Sequence, residues 1–201
     1  MKQILVYGDS NTYGEAAFHT HRLPHEQRWT SMLEKLLNGN RPTKVIAEGL
    51  SGRVAGDFKQ QDIHTNGLRH FEAIYRSHAP VEVLIIALGT NDSQPRYAQT
   101  AQDIFESLKQ YAQVVKKVAQ DVTTMTLPKL LYVVPLHSEV KNDYFVGANT
   151  VLDRLKELMK SSSAFYINPG AITLSADGVH FAPEGHEQLA KVVYEKVKEL
   201  L

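Results

Sequence analysis

The sequence predicts an α/β fold with a mostly parallel, five-stranded sheet covered by helices on both faces. Short apolar runs of strand length alternate with stretches of helical periodicity, the order that strand–helix–strand units produce. The first run, Ile4-Leu5-Val6-Tyr7, has the length and the β-branched or aromatic character of a strand buried on both faces. Where that run ends, small polar residues take over at once, as Gly8-Asp9-Ser10.

Strand-like runs recur at residues 4–7, 44–47, 81–88 and 130–134, with a weaker fifth at 164–167. Between the first two, Trp29, Met32, Leu33, Leu36 and Leu37 fall at i, i+3, i+4, i+7 and i+8, a helical stripe that Asn38-Gly39 stops. Leu68, Phe71, Ile74 and Tyr75 mark a second helix ending before Pro80. Ile104, Leu108, Tyr111, Val115 and Val118 mark a longer third, and Leu152, Leu155, Leu158 and Met159 a fourth. The last helix opens at Pro183, a residue suited to a first helical turn, and carries Leu189, Val192, Val193, Val197 and Leu200. No repeat, low-complexity tract or linker divides the chain, so residues 1–201 are expected to form one domain.

Lysine plus arginine and aspartate plus glutamate both number 22, so the formal net charge is zero. That balance, without any basic run, argues against a nucleic-acid partner. It also leaves self-association unopposed and so allows a homo-oligomer. The absence of cysteine excludes disulfides, thiolate metal sites and a cysteine nucleophile. The apolar run after Met1-Lys2-Gln3 is too short for a signal peptide, and no stretch approaches the roughly 18 apolar residues of a membrane span. The expectation is a cytoplasmic protein with no membrane partner.

Polar clusters follow four of the strand-like runs. They are Gly8-Asp9-Ser10, Glu48-Gly49-Leu50-Ser51-Gly52-Arg53, Gly89-Thr90-Asn91-Asp92 and, directly ahead of the last helix, Asp177-Gly178-Val179-His180. Parallel strands present their carboxyl ends at one edge, where open α/β sheets bind ligands, so these distant clusters should converge. Together they hold the parts of acyl transfer. The glycine before Ser10 lets the backbone turn tightly and keeps bulk away from an exposed hydroxyl. His180 can take the Ser10 proton as general base and return it to the leaving group. Asp177, three residues earlier, can reach the other imidazole nitrogen and fix its tautomer and orientation. The Ser10 and Gly52 N–H groups and the Asn91 side-chain amide are candidate oxyanion donors. Asp9 reads as a turn residue bonding nearby backbone and Asp92 as one that orients its loop. Arg53 reads as a surface salt-bridge partner rather than a contact to an anionic substrate.

These four blocks, in this order, resemble those of the SGNH hydrolases, the GDSL family of esterases and lipases. Gly8-Asp9-Ser10 matches the first block with Ser10 at the nucleophile position, and Gly52 matches the glycine of the second. Gly89-Thr90-Asn91-Asp92 matches the third with Asn91 at the oxyanion position, and Asp177-Gly178-Val179-His180 matches the Asp-x-x-His block. The stretch 48–53 and the chain length are closest to the small arylesterase and acyl-esterase branch, many of whose members are oligomeric. The resemblance implies a flavodoxin-like three-layer α/β/α sandwich and a Ser-His-Asp hydrolase of small-molecule carboxylic esters, short acyl chains foremost. Two positions depart from the family pattern. Asn11 stands where leucine usually follows the serine, and Glu48 where many relatives carry asparagine; no catalytic role is assigned to Glu48.

Other functions are less well supplied. No Gly-x-Gly-x-x-Gly or Gly-x₄-Gly-Lys-Ser/Thr occurs, so no cofactor is expected. His19, His21 and His25 form a His-x-His-x₃-His series, but no acidic or cysteine partner has ligand spacing, and no metal is expected. His186 is expected to face solvent on the last helix, and His64, His70, His78 and His137 show no usable pattern. Irregular stretches at 15–28, 93–100 and 136–147 should lie above the carboxyl edge and could wall a pocket; in the last, Tyr144-Phe145-Val146 is apolar for a loop. A carbohydrate O-deacetylase or an acyltransferase would use the same blocks. A flavodoxin-like small-molecule binding module with a polar cleft is the non-enzymatic alternative.

Overall fold

Five parallel strands, β1 (Lys2–Gly8), β2 (Thr43–Gly49), β3 (Val83–Ala87), β4 (Lys129–Val133) and β5 (Tyr166–Ile167), form one sheet in the order β2-β1-β3-β4-β5. The structure, a computed structural model, describes residues 1–39, 41–58, 62–121, 126–136, 143–162 and 165–201. His137, Ala164 and half of the loop expected at 136–147 lie outside the described residues.

The period-2 alternation of each strand divides the core between the two faces. Ile4, Val6, Val83, Ile85, Leu131 and Val133 pack with Trp29, Leu33, Leu189 and Val193, which come from α2 (Trp29–Asn38) and α6 (Pro183–Lys198). Leu5, Tyr7, Leu84, Ile86 and Tyr132 pack on the other side against Phe71, Leu108, Tyr111 and Leu155. Those come from α3 (Gly67–His78), α4 (Ala101–Asp121) and α5 (Ala148–Ser161). Complete burial of each such side chain favours folding by about 1.5–3 kcal/mol, and the result is the three-layer α/β/α sandwich.

Some boundaries differ from the sequence pattern. Gly39 does not cap α2 in a left-handed conformation; its φ is −63°. Asn38 ends the helix instead, donating from Nδ2 to the Thr43 carbonyl at 2.8 Å and accepting the Thr43 N–H at 2.9 Å. β3 starts at Val83 rather than Val81; just before it the Glu82 N–H donates to the Gln3 carbonyl at 2.8 Å and the Glu82 carboxylate takes the Gln3 N–H at 2.6 Å. The weak fifth strand is only two residues long.

Register brings the carboxyl ends level, with Gly8 of β1 opposite Gly49 of β2 and Ala87 of β3. Residues just beyond these positions share one edge of the sheet. Among the described residues no helix is long and apolar enough to cross a membrane.

Candidate active site

The chain leaves β1 directly into a one-turn helix, α1 (Ser10–Tyr13), with Asp9 as its cap. Asp9 Oδ1 accepts the Asn11 N–H at 3.0 Å, and Gly14 closes the turn at φ 85°. A Cβ at Gly8 would collide with the Thr12 side chain, so the turn can fold back on β1 only with glycine there. Ser10 is the first helical residue, whose N–H has no acceptor within the helix. The serine is not exposed as expected: it retains 6% of its accessible surface.

The Asp177–His180 block reaches Ser10 through a pinched loop. Leu174 pairs with Phe181 antiparallel, the Ser175 N–H donates to the His180 carbonyl at 2.7 Å, and Gly178 turns the chain at φ 71°. His180 Nε2 lies 3.1 Å from Ser10 Oγ, and His180 Nδ1 lies 2.6 Å from Asp177 Oδ2. Asp177 and His180 are as buried as Ser10. The carboxylate also accepts the N–H groups of Val179, His180 and Phe18 at 3.1, 3.0 and 2.9 Å. Burial pushes the Asp177 carboxyl up, but His180 and those backbone donors together outweigh it and hold the group down at about 2. Asp177 therefore stays ionised against the imidazole at neutral pH.

The two remaining blocks meet beside this dyad. Gly52 sits at φ 73°, a conformation costly for any residue with a Cβ. Asn91 Nδ2 donates to the carbonyl of Arg53, the next residue, at 3.1 Å, and its Oδ1 accepts from Gln94 at 3.0 Å. Asp92 accepts the Ala55 N–H at 2.8 Å and the Gly56 N–H at 3.2 Å, clamping the second block to the third. Burial pushes the Asp92 carboxyl up to about 6 against those donors. Burial likewise pushes Asp9 up to about 7, opposed by the Asn11 N–H and reinforced by the charge of Asp92.

The model of the GDSL-like lipase/acylhydrolase family matches residues 6–188. The chain belongs to that family. As a GDSL-family member it is an enzyme, a carboxylic ester hydrolase. Among solved structures it is similar to the native aryl esterase of M. smegmatis, at 28% identity and TM-score 0.88 over all of both chains. It is similar to a carbohydrate acetylesterase family member from Sinorhizobium meliloti, at 28% identity and TM-score 0.86 over 100% of this chain and 99% of that one. A lipase/acylhydrolase from Enterococcus faecalis shares the fold at 17% identity, TM-score 0.72, covering 99% and 96% of the two chains. No curated protein matches the chain by sequence.

Two residues of this GDSL hydrolase stand where the sequence did not put them. Arg53 is no surface ion: it is 5% exposed, its guanidinium lies 4.0 Å over the Tyr7 ring, and Nη1 donates to the Gly8 carbonyl at 2.9 Å and the Glu48 carbonyl at 2.5 Å. One guanidinium nitrogen thus serves the carbonyl ends of two strands, while the planar group stacks on the aromatic ring. His186 does not face solvent: it is fully buried, its Nδ1 accepting the Trp29 N–H at 3.3 Å. Residues 183–198 put it on the helix face that covers α2, a phase that the apolar residues alone did not fix.

The sequence also missed the residues that flank the dyad. Asn11 holds the loop around His180, accepting the Phe181 N–H at 2.9 Å and donating to the Val179 carbonyl at 3.3 Å. Glu15 Oε2 lies 3.8 Å from His180 Nε2 and accepts the Ser51 hydroxyl. Glu15 Oε1 bonds His19 Nδ1 at 2.7 Å, and the His19 ring stands edge-on to His180 at 5.1 Å between centroids. Glu15, His19 and His180 are the one group of three or more potential metal ligands among the described residues; His21 and His25 are not in it.

Proposed function

We propose that residues 1–201 act as one hydrolase domain that cleaves short-chain carboxylic esters through a Ser10–His180–Asp177 triad and an acyl-enzyme. The observation that carries this reading is the buried chain of contacts from Ser10 Oγ through both nitrogens of His180 to Asp177 Oδ2, at 3.1 and 2.6 Å. With Nδ1–H directed to an ionised Asp177, Nε2 keeps its lone pair toward Ser10. Ser10 Oγ adds to the acyl carbon as His180 takes the hydroxyl proton. The carbonyl oxygen gains a full negative charge, for which the Ser10 N–H, the Gly52 N–H and the Asn91 amide are the assigned donors. Collapse expels the alkoxide, which leaves as alcohol with the proton from His180. Water, deprotonated by the same nitrogen, then adds to the acyl-enzyme and releases the acid.

The short-chain assignment rests on what surrounds the nucleophile. Glu15, Ser51 and His19 fill the sector beside His180 Nε2 with polar groups, which suits a small acyl group better than an alkyl chain. The same polar sector favours a second reading, hydrolysis of acetylated sugars, whose alcohol part carries hydroxyl groups for such partners. Comparing acetylated sugars with simple aryl and alkyl acetates separates the two.

The test is Ser10→Ala with p-nitrophenyl acetate, checked for folding by circular dichroism. Turnover should vanish in a folded protein, and a fluorophosphonate probe should label the unmodified enzyme but not the variant. Retained turnover, or equal labelling, would overturn the nucleophile assignment; an unlabelled, inactive native protein would favour a binding module.

A further inference from the structure

We propose that Glu15, His19 and His180 form a binding site for a divalent cation of the zinc class, and that its occupancy switches the hydrolase off. One ligating atom from each of the three side chains lies within 4.8 Å of the others. The Glu15 Oε2 to His180 Nε2 separation is 3.8 Å. Ligands about 2.0–2.1 Å from a tetrahedral zinc stand about 3.4 Å apart, so this pair needs to close by only a few tenths of an ångström. The His19 side chain is largely exposed and can close the remainder.

The outer shell fits as well as the ligands. A metal-bound imidazole usually donates its other N–H to a carboxylate, which fixes the ring and raises its basicity. His180 makes that bond to Asp177 at 2.6 Å, leaving Nε2, which faces Ser10 Oγ at 3.1 Å, as the ligand atom. Ser51 donates to Glu15 Oε2 and orients the carboxylate. Two imidazoles and one carboxylate form the donor set that zinc takes with its fourth position open.

The backbone adds an independent sign that this arrangement is built. Phe18 and His19 both adopt a left-handed conformation at φ 56°, unfavourable for residues with a Cβ. The strained turn leaves the Phe18 side chain 66% exposed, donates the Phe18 N–H to Asp177 at 2.9 Å, and lays the His19 ring against His180. Strain of this kind persists where the surroundings over-determine it, commonly at ligand clamps.

The consequence follows from which atom is shared. Nε2 of His180 has one lone pair, and a cation bound there leaves none to receive the Ser10 proton. Binding rests on the geometry of the three side chains alone; the switching rests on the proposed role of His180 as base.

Calorimetric titration of the full-length, tag-free, chelator-washed protein with zinc chloride tests binding, and p-nitrophenyl acetate turnover in the same solutions tests switching. One zinc per chain should bind, with affinity weakened by at least about 10-fold in His19→Ala and in Glu15→Gln, and by about 10-fold in Ser51→Ala. Zinc should suppress turnover, a chelator should restore it, and each variant, measured against its own metal-free rate, should need correspondingly more zinc. Cobalt(II) in place of zinc should give the intense visible bands of a tetrahedral site. Unchanged zinc affinity in both His19→Ala and Glu15→Gln would overturn the site, and stoichiometric binding with undiminished turnover would overturn the switch. Zinc binding through His19 in a protein that hydrolyses no ester would count against the hydrolase reading and support the site.

Discussion

Asn11 Oδ1 accepts the Phe181 N–H at 2.9 Å, joining the residue after Ser10 to the residue after His180. The same side chain donates to the Val179 carbonyl at 3.3 Å, so one amide grips the backbone on both sides of His180. Ser10 and His180 are held together by their neighbours as well as by their own contact. Asn11→Leu, which restores the residue more usual in the family, should therefore do harm in this chain. It leaves a buried N–H unpaired, at a cost of about 1–3 kcal/mol, and loosens the loop that aims Nε2. Displacing a reacting group by about 1 Å can lower the rate about 100-fold. The expected outcome is a loss of kcat of roughly 10- to 100-fold with KM little changed, measured on p-nitrophenyl acetate; an unchanged kcat would remove the positioning role.

Asp177 accepts four N–H donors, three from backbone and one from the imidazole. Asp177→Asn puts an NH₂ among donors and forces the His180 ring to lose its partner or invert its tautomer. In triads of this geometry the equivalent change lowers kcat by about 10⁴-fold. The expected outcome here is a fall of about 10³- to 10⁴-fold with residual activity from the oxyanion donors, and a loss of less than tenfold would show that Asp177 does not set the tautomer.

Asn91→Ala separates oxyanion binding from positioning. Removing one oxyanion donor typically costs about 10²–10³ in kcat. The alanine also strips the Arg53 carbonyl and the Gln94 side chain of partners, so stability should fall by about 1–3 kcal/mol. Asn91→Asp is the informative control: it keeps the side-chain size and removes the donors, and it should be as inactive as alanine. Substantial activity in the aspartate variant would exclude Asn91 as an oxyanion donor.

Arg53 should tolerate lysine poorly. Nη1 of the guanidinium donates to the Gly8 and Glu48 carbonyls while the plane of the group covers the Tyr7 ring at 4.0 Å. An ammonium has no plane to cover the ring. Arg53→Lys is expected to lower unfolding free energy by about 1–3 kcal/mol in urea titration, with unchanged slope. A variant as stable as the parent would show that the guanidinium plane contributes nothing net.

The strands and helices were legible because each repeats its apolar residues at its own period, as Leu5/Tyr7 against Ile4/Val6 do in β1. The blocks around Ser10, Gly52, Asn91 and His180 were legible because their residue types and order resemble those of the family to which the chain belongs. What could not be read is what depends on direction rather than kind. Nothing local says that Arg53 turns inward beneath β1, since a buried arginine and a surface one are the same letter. His186 lies three residues after Pro183, and whether that position faces solvent or α2 depends on the phase of a helix whose apolar stripe spans nearly half its circumference. Glu15 and His19 are separated from His180 by more than 160 residues, and the left-handed turn that brings them together has no glycine to announce it.

His186 and Asp9 should bend the stability profile in opposite senses. Burial, helped by the charges of His180 and Arg28, pushes His186 down from 6.5 to about 4. Between those values the unfolded chain binds the proton and the native protein does not, so His186 contributes stability above pH 6.5 that is lost as pH falls through about 4. Two and a half units correspond to about 3 kcal/mol. Asp9 runs the other way. Its carboxyl rises from 3.8 to about 7, so the native protein holds the proton that the unfolded chain has released. That contribution is fully present below pH 3.8 and is lost as pH rises through about 7. Asp92, raised from 3.8 to about 6, acts in the same sense as Asp9, so over the shared window the two carboxyls outweigh His186 and the parent's stability should decline as pH rises. His186→Asn, which keeps an acceptor for the Trp29 N–H, should make that decline steeper between pH 4 and 7. Asp9→Asn, which keeps an acceptor for the Asn11 N–H, should flatten it, because His186 and Asp92 then nearly offset each other. Urea unfolding of the three proteins across that range checks both signs, and parallel curves would mean that neither group is held away from its ordinary titration.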